Sequence, residues 1–413
     1  MQQRLSKIYS EDKLPRQCVR FSDVAVAFEK EFGAAPEYFF SAPGRSEICG
    51  NHTDHNMGKV LAAAIDLDIA AAVSKRTDNK VVLASDGFAT IEVDLADLSV
   101  DKAYYGTTGA IVKGVAAGMK NDGFAVGGFS VYEVSDVLKG SGMSSSAAFE
   151  ILIATILSYL YNDGKLSAVR AAQLSQYAEN VYFGKPSGLM DQMACSVGGF
   201  VGIDFADEKH PVVTPIAFDF AATGYRLVIT DCHADHADAT ADYAAIREDM
   251  AKVSRYFGKE NLRQVSQSDF LADLNGVRSA VGDVPMMRAM HFFEENERVD
   301  AAVKALQAGD FEAFKEVIIA SGRSSYMYLQ NIYSASAPRA QALSLALCIS
   351  EQLLKDKGGA WRVHGGGFGG TIQAFVPLAQ TENYIQTMEQ LFGKGSCYQV
   401  SVRNYGGFLV KES

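Results

Sequence analysis

The segment of residues 147–162, AAFEILIATILSYLYN, constrains the fold more than any other part of the sequence. Its length and periodicity predict a helix. Apolar residues occupy most of its faces: Phe149, Ile151, Leu152, Ile153, Ile156, Leu157 and Leu160. A helix that is apolar on most faces needs neighbours on most sides. The segment therefore predicts a helix packed inside a domain, with its beginning held rigidly.

A loop rich in glycine and serine, KGSGMSSSAAFE from Lys139 to Glu150, leads into this helix. Gly140 and Gly142 remove side chains where backbone must approach a ligand, and the helix N-terminus attracts anions. Backbone N–H groups here could hold phosphates, and a serine hydroxyl could reach Mg²⁺. The sequence is neither a GK[ST] loop nor GxGxxG. Taken alone, the segment is either an anion cradle or a loop that only caps the helix.

A compact polar cluster follows Arg45 and its Pro-Gly turn in SAPGRSEICGNHTDHNMGKVLAAAID. Its members are Asn51, His52, Thr53, Asp54, His55 and Asn56. Such a density of donors and acceptors suits a polyhydroxylated ligand, because each hydroxyl group wants both kinds of partner. On composition alone a solvated polar loop is favoured. A metal site that uses His52, Asp54 and His55 is the third interpretation.

Asp191 is a third candidate, in ENVYFGKPSGLMDQMACSVGG. Its neighbours in sequence are Leu189, Met190, Met193 and Ala194. An ionised carboxylate is costly among apolar groups unless a cation or hydrogen bonds support it. Asp191 is therefore a functional candidate, and its alternative role is a helix cap.

The remaining pattern predicts an α+β fold in two domains. Strand-like runs lie at residues 59–76, 80–86, 89–95 and 127–134, and helical patterns at 166–183 and 291–321. Residues 361–377 are expected to form a loop that runs into a strand. A chain of 413 residues suits two domains. A turn-rich stretch at 206–215 is the expected boundary, so the two domains would comprise residues 1–215 and 216–413.

The composition excludes several classes of function. The net charge is −11 and no basic block is present, so binding to nucleic acid or to an anionic membrane is disfavoured. No signal peptide or membrane-spanning run is visible, and the six cysteines show no C-x-x-C spacing. A cytoplasmic monomer with reduced thiols, small-molecule ligands and no membrane or nucleic-acid partner is expected.

Taken in order, the motifs resemble those of the galactokinases, a branch of the GHMP kinases. That family's opening segment is similar to APGRxNLIGEHTDYNxGxVLPxAI, and this chain has APGRSEICGNHTDHNMGKVLAAAI. The phosphate loop PxGxGLSSSAA is matched by LKGSGMSSSAA, and TGGGFGGCxxALVP by HGGGFGGTIQAFVP. The likeness runs from about Arg45 to the final strand. It implies a GHMP kinase-like fold of two domains, with the active site between them.

The resemblance also implies an activity, phosphorylation of the C1 hydroxyl of galactose by ATP, and roles for single residues. Asp191 matches the catalytic aspartate and Arg45 the arginine beside it. Sugar-binding positions are Asn51, His52, Thr53, Asp54, Gly188 and Tyr243. The ATP-binding loop comprises Gly140, Ser141, Gly142, Met143, Ser144, Ser145 and Ser146, with Ser146 and Glu179 at the Mg²⁺ positions.

Three departures from the family pattern lie in its first segment. GEHTDY is GNHTDH here, so the glutamate that usually faces the sugar's C6 hydroxyl is Asn51, and the following tyrosine is His55. The family's NL is Glu47 and Ile48. An amide at position 51 would not repel an anionic sugar, so galacturonate is an alternative substrate. Galactose is still ranked first, because His52, Asp54 and Tyr243 are retained.

Two further alternatives belong to other classes of protein. A sensor that binds ATP and galactose without catalysis could lose Asp191, Arg45 or the SSSAA run, but all are present. A metalloenzyme would use His233, Asp235, His236 and Asp238. That cluster is short and has no histidine pair at i, i+4, so a solvated loop is favoured there.

Overall fold

Two β-sheets organise the computed structural model, which describes residues 1–137, 142–207, 209–233 and 239–412. The strands are β1 (Tyr38–Cys49), β2 (Lys59–Lys75), β3 (Lys80–Ser85), β4 (Ile91–Asp94), β5 (Phe129–Ser135), β6 (Phe200–Asp204), β7 (Val212–Ile216), β8 (Tyr225–Asp231), β9 (Ala360–Val363), β10 (Thr371–Pro377), β11 (Cys397–Val400) and β12 (Phe408–Glu412).

The helices cover both sheets. They are α1 (Gln2–Leu5), α2 (Leu14–Phe32), α3 (Thr108–Asn121), α4 (Ser145–Asn162), α5 (Ala168–Tyr177), α6 (Met190–Val197), α7 (Ala239–Tyr256), α8 (Gln267–Ala272), α9 (Leu274–Val281), α10 (Asp283–Gln307), α11 (Phe311–Ser324), α12 (Ala342–Leu354) and α13 (Thr381–Phe392). A π-helical turn, Ala178–Phe183, continues α5.

The larger sheet has the strand order β12-β1-β2-β5-β3-β4, and β6 and β7 extend it from β2. The smaller sheet has the order β11-β8-β10-β9. Among the strand pairs of the described residues, β3 with β5 is parallel and the others are antiparallel. This is the mixed α+β architecture that the sequence predicts.

The prediction of a buried central helix is confirmed by α4. Ile151, Leu152, Ile153, Ile156 and Leu157 have no exposed surface, and α4 packs against β1, α3, α5 and α6. The apolar faces of this helix are thus covered by a strand on one side and by helices on the others. Because α4 is fixed on so many sides, its N-terminus has a fixed position relative to β1.

Other predictions from the sequence are confirmed or corrected. The four predicted strands correspond to β2, β3, β4 and β5, and the helix pair corresponds to α10 and α11. The expectation that residues 361–377 begin with a loop is wrong, because β9 precedes the loop and pairs with β10. The two-domain division stays a prediction, and β12 qualifies it: this strand, from the end of the chain, pairs with β1.

No helix within the described ranges is both long enough and apolar enough to cross a membrane.

Candidate active site

An arginine and an aspartate form a paired centre where β1 meets α6. Arg45 donates to both carboxylate oxygens of Asp191, through Nε at 2.7 Å and Nη2 at 2.9 Å. Its Nη1 donates to the carbonyl oxygen of Gly142, and the Ser144 hydroxyl donates to Asp191 Oδ2. Bidentate arginine–carboxylate pairs fix orientation as well as charge. The pair therefore ties the end of the glycine-serine loop to α6.

The Asp191 carboxylate is held in its ionised form. Burial raises the pKa of Asp191, but the Arg45 charge and the hydrogen bonds from Arg45 and Ser144 outweigh burial, and the pKa lies below its ordinary value. About a third of the side chain, 33 %, remains exposed. Asp191 lies in the first turn of α6, yet its side chain makes no capping hydrogen bond there. The alternative role of a helix cap is wrong.

The N-terminus of α4 lies directly beside this pair. Ser144 has left-handed backbone angles (φ 58°, ψ 60°) and precedes α4, and no side chain of the described residues caps the helix. The first N–H groups of a helix lack intrahelical partners and attract anions. Gly142, Met143, Ser144, Ser145 and Ser146 lie in this part of the structure. Gly140 and Ser141, also predicted to bind phosphate, fall outside the described residues.

Two buried carboxylates lie near that N-terminus: Glu150, on α4 itself, and Glu179, in the π-helical turn that follows α5. Gln192 Nε2 donates to Glu150 at 3.0 Å and to Glu179 at 2.8 Å, so the two acids share one amide. Glu179 also accepts from Lys185 Nζ at 2.8 Å. Burial and then the charge of Glu179 raise the pKa of Glu150 well above its ordinary value, and no described residue donates to Glu150 Oε1.

This acidic cluster suits a divalent cation. Two carboxylates face one lysine, and the orphaned Oε1 of Glu150 is a free oxygen ligand of the kind Mg²⁺ prefers. Ser146 is exposed on α4 one turn before Glu150, at the i, i+4 spacing that puts both on one helix face. Glu150 is therefore a third candidate Mg²⁺ ligand beside the predicted Ser146 and Glu179, and sequence reasoning missed it. Its signal was that same i, i+4 spacing.

A polar cavity of about 260 Å³ opens on the other side of Arg45. Its walls include five predicted sugar-binding residues, Asn51, His52, Asp54, Gly188 and Tyr243. They also include residues outside the sugar-binding set that the resemblance implies: Glu47, His55, Met190, Arg247, Gly365 and Gly366. Most of the polar cluster that follows Arg45 thus lines a cavity and does not form a solvated loop.

His52 and Tyr243 form an aromatic wall of this cavity. Their rings stack with centroids 5.8 Å apart, His52 Nε2 lies 2.8 Å from the Gly366 carbonyl oxygen, and the Tyr243 hydroxyl donates to that of Gly367. Burial, followed by the charge of His55, lowers the pKa of His52 to about 4. His52 is therefore neutral at neutral pH, and its Nε2 carries the proton that Gly366 accepts.

Thr53 lies behind the cavity wall rather than in it. It has no exposed surface, and its hydroxyl lies 2.9 Å from the Gly50 carbonyl oxygen and 2.5 Å from that of Lys59. The side chain closes the turn between β1 and β2, so it positions His52 and Asp54.

Gly188 is needed because the backbone passes close to Asp54. A Cβ atom at this position would lie 2.8 Å from Asp54 Oδ2, too close for any side chain without displacing that carboxylate. Asp54 Oδ1 lies 3.1 Å from His55 Nδ1. Because residue 188 is glycine, the Asp54 carboxylate can keep its position in the cavity wall.

The alternative metal sites gain no support. Among the described residues, no group of three or more His, Cys, Asp or Glu side chains is arranged to hold a metal ion. His52, Asp54 and His55 are close together but do not form such a group. Of the second cluster, His233 is described, whereas Asp235, His236 and Asp238 lie outside the described ranges.

Two family models match the chain. The galactokinase galactose-binding signature matches residues 26–75, and the N-terminal domain of GHMP kinases matches residues 110–199. The first range contains Arg45 and the polar cluster. The second contains α4, Glu179 and Asp191.

Similar proteins cover nearly the whole chain. The galactokinase of Streptomyces coelicolor is 34% identical over 378 residues, 89% of this chain and 92% of that one. The galactokinase of Homo sapiens is 30% identical and covers 94% and 96%. The crystal structure of Lactococcus lactis galactokinase complexed with galactose superimposes with a TM-score of 0.76 at 25% identity, over 94% of this chain and 99% of that one. Methanococcus jannaschii mevalonate kinase shares the fold, with a TM-score of 0.63 at 14% identity, 89% of this chain and 98% of that one.

Proposed function

Because this chain belongs to the galactokinase family of GHMP kinases, we propose that it transfers the γ-phosphoryl group of ATP to the C1 hydroxyl of galactose. The products are galactose 1-phosphate and ADP. The observation that carries the proposal is the Arg45–Asp191 pair, which stands between the N-terminus of α4 and the polar cavity. A phosphate donor on one side and a polyol acceptor on the other would meet at this pair.

The phosphates of ATP would lie on the loop from Gly140 to Ser146. Gly142, Met143, Ser144, Ser145 and Ser146 support this by their place at the α4 N-terminus, and Gly140 and Ser141 by sequence alone. Ser146 and Glu179 would hold Mg²⁺, with Glu150 beside them. The cation, when bound, neutralises charge on the phosphates. Arg45 adds a fixed positive charge near the reacting oxygens.

Asp191 would accept the proton of the C1 hydroxyl, or orient and polarise that hydroxyl. Its lowered pKa keeps it ionised at neutral pH and at the same time makes it a modest base. Phosphoryl transfer depends on positioning and charge stabilisation more than on covalent chemistry, so a modest base is sufficient. Ser144 and Arg45 fix the carboxylate in one orientation.

The sugar would bind between Asp54 and the His52–Tyr243 wall. Asp54 accepts hydrogen bonds from hydroxyl groups, and the stacked rings offer an apolar surface for the sugar's C–H face. Gly188 leaves room beside Asp54, and Asn51 is part of the cavity wall. We further propose a cytoplasmic monomer whose partners are small molecules, in keeping with its net charge of −11.

The test is ADP release with ATP and a panel of galactose, galacturonate, N-acetylgalactosamine, L-arabinose and glucose. Galactose should give the highest kcat/KM. Asp191→Asn should still bind ATP and galactose but lose about 10²-fold or more in kcat, the contribution expected of a positioned general base. Near-normal turnover by Asp191→Asn would refute the role of this residue, and a higher kcat/KM with galacturonate would replace the proposed substrate.

A further inference from the structure

The side chain of Asn51 has no polar atom left for a ligand. Its Nδ2 donates to Glu47 Oε1 at 2.9 Å and to the Gly365 carbonyl oxygen at 2.7 Å. Its Oδ1 accepts from Asn331 Nδ2 at 2.6 Å and from the Ser325 hydroxyl at 3.3 Å. An amide has two N–H donors and an oxygen with two lone pairs, so all four positions are filled. The whole residue is 0 % exposed.

Glu47, unlike Asn51, keeps an oxygen atom that can bind a ligand. Its Oε1 accepts from Asn51 and lies 3.3 Å from Arg362 Nη2, whereas no hydrogen bond from the described residues reaches Oε2. Glu47 lines the cavity. It lies two residues after Arg45 on β1, and both pair with β2 in regular register, at Ala62 and Ala64. Alternation along a strand therefore puts Glu47 on the same face as Arg45.

Relative to the family segment, glutamate and asparagine have exchanged positions in this sequence. The galactokinase segment APGRxNLIGEHTD has asparagine where this chain has Glu47 and glutamate where it has Asn51. Here the same two types of side chain occupy each other's positions and are hydrogen-bonded together. We propose, on the basis of the function proposed above, that Glu47 supplies the carboxylate that binds a hydroxyl group of the sugar, and that Asn51 is a positioning residue that holds it.

This assignment changes the expected selectivity. Glu47 and Asp54 are both carboxylates of the cavity wall. Burial raises the pKa of Glu47 and the Asp54 charge adds to this, while the charges of Arg362 and Arg45 oppose it. A neutral sugar satisfies both carboxylates with hydroxyl donors, whereas a sugar carboxylate beside Glu47 would be repelled. Asn51 therefore does not open the cavity to galacturonate, because the negative charge has moved to position 47 and has not been lost.

The decisive variant is Glu47→Gln, which keeps an oxygen acceptor for Asn51 and the same shape but removes the negative charge. The kcat and KM for galactose and for galacturonate are measured by ADP release, with the unfolding midpoint measured alongside. The KM for galactose should rise about tenfold or more, as expected on loss of a charged hydrogen bond. The ratio of kcat/KM for galacturonate to that for galactose should also rise.

A purely structural role would lower the unfolding midpoint through the lost Arg362 pair but leave the galactose KM and the galacturonate ratio at wild-type values. That result overturns the inference. If wild-type protein releases no ADP with any sugar, the proposed function itself fails, which is a separate outcome.

If Glu47→Gln does not fold, the exchange variant Glu47→Asn with Asn51→Glu gives the second test. It restores the family's order of the two side chains and should show a lower galactose KM than either single substitution. A folded exchange variant without that recovery also overturns the inference.

Discussion

Arg45 is the residue on which the proposed chemistry depends most. It fixes both oxygens of Asp191, donates to the Gly142 carbonyl oxygen and lines the polar cavity. Its sequence position next to a Pro-Gly turn marked it as a candidate. The Asp191 partner could not be derived from local pattern, because the two residues are 146 positions apart and meet only in the folded chain.

The pH dependence of kcat tests this pair. The pKa of Asp191 is lowered, so the ionised form should persist until the pH falls below the ordinary aspartate value of about 3.9. In Arg45→Met the burial of Asp191 is no longer opposed by the Arg45 charge, so its pKa rises and the acid limb of the kcat profile moves to higher pH. Arg45→Lys, which keeps a charge, should move the limb less. Superimposable acid limbs in all three proteins would contradict this account.

Five segments of the fold meet at the Arg45–Asp191 pair and its cavity: β1 with its following turn, the N-terminus of α4, residues 188–191 at the start of α6, α7, and the loop between β9 and β10. Periodicity predicted α4 and the strand β2 correctly, because helix and strand periods are local. It missed β9 and the inward face of β1. Strand alternation from Arg45 could have identified Glu47 as a residue that faces the site. The orientation of Asn51 could not be predicted in this way, because it depends on a long-range hydrogen bond from Asn331.

The close approach of the Gly188 backbone to Asp54 can be tested by substitution. Gly188→Ala would place a methyl group 2.8 Å from Asp54 Oδ2, so Asp54 must shift and the KM for galactose should rise about tenfold. The KM for ATP should not change, because the phosphate loop lies elsewhere. Gly109→Ala, whose nearest neighbour would be at 3.4 Å, is the matched control. Steady-state kinetics with each substrate varied in turn give both constants; equal galactose KM values in the two variants would rule out the close approach.

At the scale of the whole molecule, a buried ion cluster joins both ends of the chain to the large sheet. Asp68 on β2 has no exposed surface and accepts from Arg20 Nη1 at 2.6 Å and Arg403 Nη1 at 2.9 Å. Tyr9 also donates to it at 2.5 Å. No local motif marks this cluster, because its members lie far apart in the chain: Tyr9 before α2, Arg20 in α2, Asp68 in β2 and Arg403 before β12.

Asp68→Asn should therefore destabilise the protein strongly. The substitution keeps the size of the side chain but leaves two buried arginines without their counter-charge, which costs about 3–5 kcal/mol. Denaturant unfolding measures this loss. Asp163→Asn removes the partner of Lys165 in an exposed pair and should leave the midpoint almost unchanged. Equal stability of the two variants would show that the cluster does not hold the termini.

Phosphorus NMR of the reaction mixture shows directly whether phosphate is transferred from ATP to C1 of galactose. With wild-type protein, ATP, Mg²⁺ and galactose, the spectrum should show ADP and a sugar phosphate whose phosphorus couples to the proton on C1. The signals should require galactose and should be strongly reduced with Asp191→Asn. Phosphate attached at another carbon, or ATP converted only to ADP and inorganic phosphate, would show that the protein does not phosphorylate C1 of galactose.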